Sequence, residues 1–397
     1  MIQTRSKLTQ WLIAVATVLS ISHASPAATG HVFGDPPDEN HPWAMHDLNR
    51  TVPPVVTPGS KIGDAPSDAV VLFDGTTASM QNWKHITPKN KRQADWKIVD
   101  GVLQCTPGAG TIATKAEMGD MQLHVEWAPP KDSGNKTGQG RGNSGVFLMG
   151  KVEVQVLDNY ENPTYADGTA GAVYGVMPPA ANALRGPDAW QSYDVIFRRP
   201  IVRDGEVIDV GSVTVLVNGV VVQDSTPLNG GGGYRQRKQI KDSLSFPDKG
   251  PISLQDHGNT VRYRNIWYRP LRPRPVDGGF DGMLSAEATH LKRQETAQKI
   301  RKEASGLAGN KKAFRLMDSL LYQTDKGVWA EAEKLALDYV REISSLSKKE
   351  IENRKSELVE LYKMVMHLRK FERITGDTAI EQELEQLTAK QGWKVKL

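Results

Sequence analysis

Residues 152–156 read Val152-Glu153-Val154-Gln155-Val156, three valines alternating with two polar residues. Side chains of a strand point to opposite faces in turn, so the valines take one face and Glu153 and Gln155 the other. A strand that is apolar on one side only belongs in an antiparallel sheet whose apolar side covers a core. The same grain extends in both directions. Short β-prone runs recur at Ala69–Phe73, Trp96–Val99, Val102–Cys105, Met121–Trp127, Gly145–Met149, Ala172–Tyr174, Ser192–Phe197, Ser212–Val217, Val220–Gln223, Ile252–Gln255 and Val261–Tyr268, separated by Gly, Asn, Asp and Pro. Many short strands at this spacing indicate a two-sheet sandwich or a barrel. Asp100-Gly101 and Asn218-Gly219 sit between apolar runs, where a two-residue hairpin needs positive φ.

The grain changes near Pro270. Leu271-Arg-Pro-Arg-Pro-Val-Asp-Gly-Gly reads as a stiff linker, and from Ser285 onward there is no proline. Apolar residues then fall at helical spacing: Leu316 and Leu320; Val328, Ala332, Leu335 and Tyr339; Leu358, Leu361, Val365 and Leu368. The expected organisation is a leader at 1–28, a linker or N-terminal arm at 29–67, a β-sandwich at 68–272, a linker at 273–284 and an α-helical hairpin or small bundle at 285–397. The helical tail is expected either to cap the sandwich or to bind a protein partner or another copy of itself.

The leader reading rests on Arg5 and Lys7, then an apolar run from Trp11 to Ile21, then small residues through Ala28. That run is shorter than the ~20 residues needed to span a bilayer. A periplasmic or secreted protein with no transmembrane segment after leader removal is expected. Cys105 is the only cysteine of the 397 residues, so no intramolecular disulfide can form, and its position beside Leu103 suggests packing. The net charge is +4, two of it from the leader, and the basic residues are scattered without a nucleic-acid motif, so no nucleic-acid partner is expected. Gly-x-Ser-x-Gly, P-loop, His-Glu-x-x-His and paired-cysteine motifs are all missing, and the four glycines from Gly230 lack a following Lys-Ser/Thr.

Polar rows carry the remaining chemistry. Ser253, Gln255 and His257 share a face, as do Arg262 and Arg264 in the next strand. Each row alone is an ordinary wet face. Gathered in a curved sandwich, they present directional hydrogen bonds suited to sugar hydroxyls. The groove is expected where the Glu153/Gln155 face meets the Gln255/His257/Arg264 face. His124 and Glu126 share a face as a second pair.

The ordered series Val71-Leu-Phe-Asp-Gly with Trp83, Trp96-Lys-Ile-Val-Asp-Gly101, Gly142-Asn-Ser-Gly-Val146, Val152 to Asp158, Ala170-Gly-Ala-Val-Tyr174, Trp190-Gln-Ser-Tyr-Asp194, Val217-Asn-Gly219, Ile252 to Gly258 and Val261 to Ile266 resembles the 3-keto-disaccharide hydrolase family. The resemblance covers about residues 69–270. It implies a concanavalin-like jelly-roll and activity on glycosides already oxidised to a ketone at C3. Where the family often has Arg or Gln after the Asn-Ser-Gly strand, this chain has Met149-Gly150-Lys151.

The implied chemistry is removal of the acidified C2 proton, then elimination of the C1 aglycone, with or without rehydration. It requires a base, an electrophile at the ketone oxygen and an acid at the leaving oxygen. Glu153 and His257 are the candidates for general base or metal ligand, a divalent metal ion being an efficient electrophile; no other cofactor is called for. Arg264 is the candidate for holding the enolate oxygen. Asn143, Gln155 and Gln255 would orient hydroxyls, and Tyr174 and Trp190 would stack on sugar or donate hydrogen bonds, Trp190 being equally a core residue. A lectin-like module that binds carbohydrate without catalysis is the main alternative. A two-carboxylate glycosidase ranks behind it, because Asp158 and Asp256 project unsuitably for pairing with Glu153.

Overall fold

A computed structural model describes residues 34–86, 94–186, 188–228, 232–233, 236–237, 246–274 and 284–395. The expected leader, the basic residues near Lys89 and most of the Gly230 loop and of the 273–284 linker lie outside the described residues. The chain divides into two units, Val55–Phe280 and the combination of Met1–Pro54 with Asp281–Leu397.

The first unit is a β-sandwich. Its strands are β1 (Val70–Phe73), β2 (Trp83–His85), β3 (Lys97–Val99), β4 (Val102–Gln104), β5 (Ile112–Thr114), β6 (Met121–Ala128), β7 (Ser144–Leu148), β8 (Val152–Val156), β9 (Gln191–Arg198), β10 (Ile201–Arg203), β11 (Glu206–Asp209), β12 (Ser212–Val217), β13 (Val220–Pro227), β14 (Gly232–Gly233), β15 (Gln236–Arg237), β16 (Ser253–Leu254) and β17 (Arg262–Pro270). An eight-stranded sheet runs β13-β12-β9-β6-β17-β4-β3 with β1 also on β17, and a five-stranded sheet runs β2-β5-β16-β7-β8. Pairs β10–β11 and β14–β15 are separate hairpins. The sandwich expected from strand spacing, with the jelly-roll that the family resemblance implied, is the fold observed. The short strands β2, β5, β10 and β11 escape sequence reading because three or four residues carry too little alternation. Residues 172–174 bridge β8 and the 177 turn rather than forming a strand.

Alternation decides which side chains meet between the sheets. Leu123, Val125 and Trp127 of β6 and Tyr193, Val195 and Phe197 of β9 face Val146 and Leu148 of β7 and Val152, Val154 and Val156 of β8 in one buried cluster. Burying each such side chain stabilises the fold by about 1.5–3 kcal/mol. One bulge resets the pattern. The β17–β6 register shifts between Arg264 and Trp267, with Asn265 at φ 46°. The extra residue lets Tyr263 and Ile266 both enter the core, while Arg264 and Trp267 face outward.

The second unit holds α1 (Ala286–Ala304), α2 (Gly309–Tyr322), α3 (Lys326–Ser344), α4 (Lys348–Asn353), α5 (Lys355–Lys370) and α6 (Ala379–Gln391). Asp325 caps α3, Ser347 and Glu350 close a capping box on α4, and Gly392 ends α6 at φ 67°. The helical residues anticipated from spacing bury together: Leu316, Leu320, Ala332, Leu358, Leu361, Val365 and Leu368. Residues before Pro54 belong to this unit. Tyr322 donates to the Asp47 carboxylate, Asn49 donates to the Tyr322 hydroxyl at 3.0 Å, and Trp43 meets the Tyr322 ring edge-on. The segment expected to be one arm is thus shared, since Gly63 is bound to the sandwich through its carbonyl. No helix among the described residues is long and apolar enough to cross a membrane.

Candidate functional site

The outward face of the five-stranded sheet collects most of the residues singled out in the sequence. Antiparallel pairing sets Phe147 opposite Glu153 and Gly145 opposite Gln155. On one side β16 sets Ser253 opposite Phe147, and the Gln255 amide donates to the Gly145 carbonyl at 2.9 Å. On the other side Val173 bridges Val154, and the Tyr174 amide donates to the Glu153 carbonyl at 3.1 Å. Two adjacent rows result: Ser253–Phe147–Glu153–Tyr174 and Gln255–Gly145–Gln155–Ala172. Because Val154 and Val156 face the core, both rows face away from it.

Glu153 is the central feature. Its carboxylate leans over the space left by Gly145, where an added Cβ would lie 2.3 Å from Oε1. Only glycine leaves that room. Phe147 and Tyr174 are its cross-strand neighbours, within side-chain reach. Burial alone, with no cation or hydrogen-bond donor among the described residues to offset it, pushes Glu153 up to about 7. A carboxylate held there titrates near neutral pH, where a general base works best.

A cluster of amides lies on the same face, around Gln155. Gln155 is 1% exposed, and its Nε2 lies 3.3 Å from Gln139 Oε1 and 3.5 Å from Asn143 Oδ1. Asn143 Nδ2 donates to the Gln139 carbonyl at 2.8 Å, and Gln139 Nε2 donates to the Gly168 carbonyl at 2.9 Å. Gln139 carries no signal in the sequence. It lies in a short Gly-Gln-Gly turn, Gly138–Gly140, and only the tertiary fold brings it to the amides. Three buried polar atoms on this face keep unused capacity: Gln155 Oε1, Gln255 Oε1 and Ser253 Oγ. A buried polar atom without a partner costs about 1–3 kcal/mol.

Two buried tyrosines from the eight-stranded sheet hold these strands from beneath. Tyr193 donates to the Gln155 carbonyl at 2.6 Å. Tyr263 donates to Ser144 Oγ at 2.6 Å, and Ser144 Oγ donates to the Gln255 carbonyl at 2.6 Å. Both phenols cross the core, so the position of the site residues is tied to the packing of the two sheets.

The structure thus brings together Glu153, Gln155, Asn143, Gln255 and Tyr174. It separates the rest. Arg264 belongs to the eight-stranded sheet, on its outward face, and Trp190, just before β9, lies beside it, with the Arg264 guanidinium 4.1 Å from the Trp190 ring centroid. The expected meeting of Arg264 with the Glu153 face does not form, because Tyr263 takes the inward position and alternation sends Arg264 to the far side. His257 is exposed in the turn after β16, and among the described residues no hydrogen bond or ion pair joins its ring to Glu153. Asp256 accepts from the Gly110 amide at 2.9 Å, and Asp158 accepts from Arg141 at 3.1 Å, both holding loops.

Arg264 instead completes a charged cluster with the second pair read from the sequence. His124 Nδ1 lies 2.7 Å from Asp194 Oδ1 and Nε2 3.6 Å from Glu126 Oε1, the latter an ion pair beyond hydrogen-bond range. Arg264 Nε and Asn265 Nδ2 donate to Glu126 at 2.6 Å and 2.9 Å. Burial opposes the charged form of His124, but Asp194 and Glu126 outweigh it and push the imidazole up to about 9. Glu126 is drawn down to about 2, chiefly by His124, against its own burial and with help from Asn265 and Arg264. Asn265 and Trp267 also donate to the Gly63 carbonyl at 2.8 Å and 2.9 Å, so the cluster seats residues near Gly63 on the sheet.

Among the described residues no three His, Cys, Asp or Glu side chains converge as metal donors. Among the described residues Glu153 stands alone as an anionic donor on its face, so these residues do not assemble a protein-held ion site.

Residues 68–269 match the family model described as a 3-keto-α-glucoside-1,2-lyase-like domain. A crystal structure of a candidate glycosyl hydrolase from Parabacteroides distasonis is 42% identical, with a TM-score of 0.51, and the match covers 56% of this chain and 93% of that one. Two further candidate glycosyl hydrolases from that organism are 19% and 23% identical, with TM-scores of 0.35 and 0.33. Those matches cover 51% and 48% of this chain and 94% and 99% of theirs. No curated protein matches the chain.

Proposed function

This chain belongs to the 3-keto-α-glucoside-1,2-lyase-like family, and on that footing we propose that it is a carbohydrate-active enzyme cleaving 3-keto-glycosides with Glu153 as the base. The supporting observation is the Glu153 carboxylate, largely buried with no counter-charge among the described residues, poised near neutral pH and set over the gap at Gly145.

A ketone at C3 acidifies the C2 proton. Glu153 takes that proton, and the electron pair moves onto the C3 oxygen as an enolate. The donors assigned to that oxygen are the Ser253 hydroxyl, which has no protein partner among the described residues, and the side-chain N–H of Gln255, two residues further along. Gln155, held by Asn143 and Gln139, orients a sugar hydroxyl. Return of the enolate electrons forms the C1=C2 bond and expels the C1 aglycone. Addition of water to the enone then gives net hydrolysis, and its omission gives a lyase. A lectin-like site needs no carboxylate held near 7, so the state of Glu153 favours the enzyme over the binding module. Export through the leader read at residues 1–28 is part of the same proposal, to be checked by fractionation and N-terminal sequencing of the mature protein.

The direct test incubates the purified protein with prepared 3-keto-glucosides, with and without chelator. Aglycone should be released in both conditions, and Glu153→Gln should lower the rate by on the order of 10²–10⁴-fold. Release that chelator abolishes would require an ion that this mechanism lacks. Binding of glycosides with no release would favour the lectin-like module.

A further inference from the structure

Elimination leaves an alkoxide at the departing oxygen unless an acid protonates it, and a second group can do this while Glu153 holds the C2 proton. The row that contains Glu153 supplies another group. Tyr174 is its cross-strand neighbour on the same face, fixed by the amide-to-carbonyl bond at 3.1 Å. Its partly buried phenol lies 3.0 Å from the Tyr165 hydroxyl. The two rings meet at 62°, with centroids 6.5 Å apart. Tyr165 is 44% exposed, so the pair leads from the neighbour of Glu153 to solvent.

The pair is built. Tyr165 begins a short 3-10 turn, and its ring lies so close to Gly168 that an added Cβ would be 2.0 Å from Cε2. Gly168 also receives Gln139 Nε2 on its carbonyl, and the Gly175 amide, next to Tyr174, donates to the Asp167 carbonyl at 2.9 Å. These backbone bonds tie the Tyr165 turn both to the amide cluster and to the Tyr174 segment.

We infer that Tyr174 is the general acid for the leaving group and that Tyr165 returns its proton from water. The inference rests on the reading of Glu153 as the base. The C2–H bond breaks toward Glu153, the C1–O bond breaks as C1=C2 forms, and the departing oxygen takes the Tyr174 proton. The Tyr174 phenolate takes the Tyr165 proton, and Tyr165 regains one from solvent. No oxidant or reductant is needed.

The test compares two 3-keto-glucosides, one carrying 4-nitrophenol, which leaves without protonation, and one carrying methanol, which does not. Tyr174→Phe should lower kcat/KM for the methyl glycoside by roughly 10²-fold, the usual worth of a general acid, while leaving the nitrophenyl substrate within about threefold. Tyr165→Phe should show the same leaving-group bias at smaller size. Equal losses on both substrates, or no loss on either, would overturn the assignment, since a ring that merely packs or stacks does not distinguish leaving groups. Glu153→Gln must lower both activities by on the order of 10²–10⁴-fold; if it does not, the reading of Glu153 falls instead, and the two failures are told apart. Thermal melts of each variant confirm that the losses occur in folded protein.

Discussion

Replacing Glu153 with Gln should make the sandwich more stable at pH 8 while removing its activity. Glu153 is held at about 7 in the fold against an ordinary 4.5, with burial as the cause. A group whose folded value is raised binds more protons in the folded state between those limits. Stability is therefore lost as pH rises from about 4.5 through 7, and above 7 the full cost of a buried anion is present. At about 1.36 kcal/mol per unit, the shift corresponds to an upper bound of roughly 3 kcal/mol, and partial solvent contact reduces it to about 1–3 kcal/mol. Glutamine has the same shape and never ionises. For a unit of this size that gain corresponds to a rise of roughly 2–10 °C in Tm. Calorimetry of the full chain at pH 4.5 and pH 8, following the sandwich transition, measures it. The substitution should be nearly silent at pH 4.5, where wild-type Glu153 is already neutral. An equal shift at both pH values, or a Glu153→Gln protein less stable than wild type at pH 8, would refute the account of an uncompensated carboxylate.

The same carboxylate sets the pH dependence of turnover: kcat/KM for a 3-keto-glycoside should fall on the acid side with an apparent pKa near 7, and this limb should vanish with the activity in Glu153→Gln. Arg264→Ala and Trp190→Ala should change kcat/KM by less than about threefold, since Arg264 lies on the outward face of the other sheet with Trp190 beside it, and loss of chemistry on the order of 10²-fold would return Arg264 to the site. His124→Gln should destabilise the sandwich by about 1–3 kcal/mol at pH 6 and by much less at pH 10. The raised His124 contributes stability fully present below its ordinary 6.5 and lost as pH rises through about 9, so urea unfolding at the two pH values measures the difference.

Much of this arrangement was legible in the chain, and the boundary is physical. Alternation in Val152–Val156 placed Glu153 and Gln155 opposite the core valines, and the same rule placed Gln255 on an outward face. Strand number and turn chemistry indicated the sandwich, and helical spacing indicated the tail. These are local properties, determined by backbone geometry within a few residues. The pairing of sheets is not local. Nothing within Val261–Tyr268 says which sheet it joins, and β17 joins the large one, taking Arg264 away from Glu153. The bulge at Asn265, which lets Ile266 follow Tyr263 into the core, likewise depends on what β6 and β9 leave unfilled.

The base itself shows the division most plainly. The sequence alone put a carboxylate and an amide on one face of a strand, and the family resemblance supplied a reaction for them. It did not say that Gly145, a residue with no side chain to read, would stand opposite Gln155 and leave room for Glu153. Nor did it say that Gln139 would arrive from a turn, or that Tyr174 would pair with Tyr165. A pKa is set by everything within several ångströms of the group, so the value near 7 exists only once the fold has placed Phe147 and Tyr174 beside Glu153 and, among the described residues, set no cation against it.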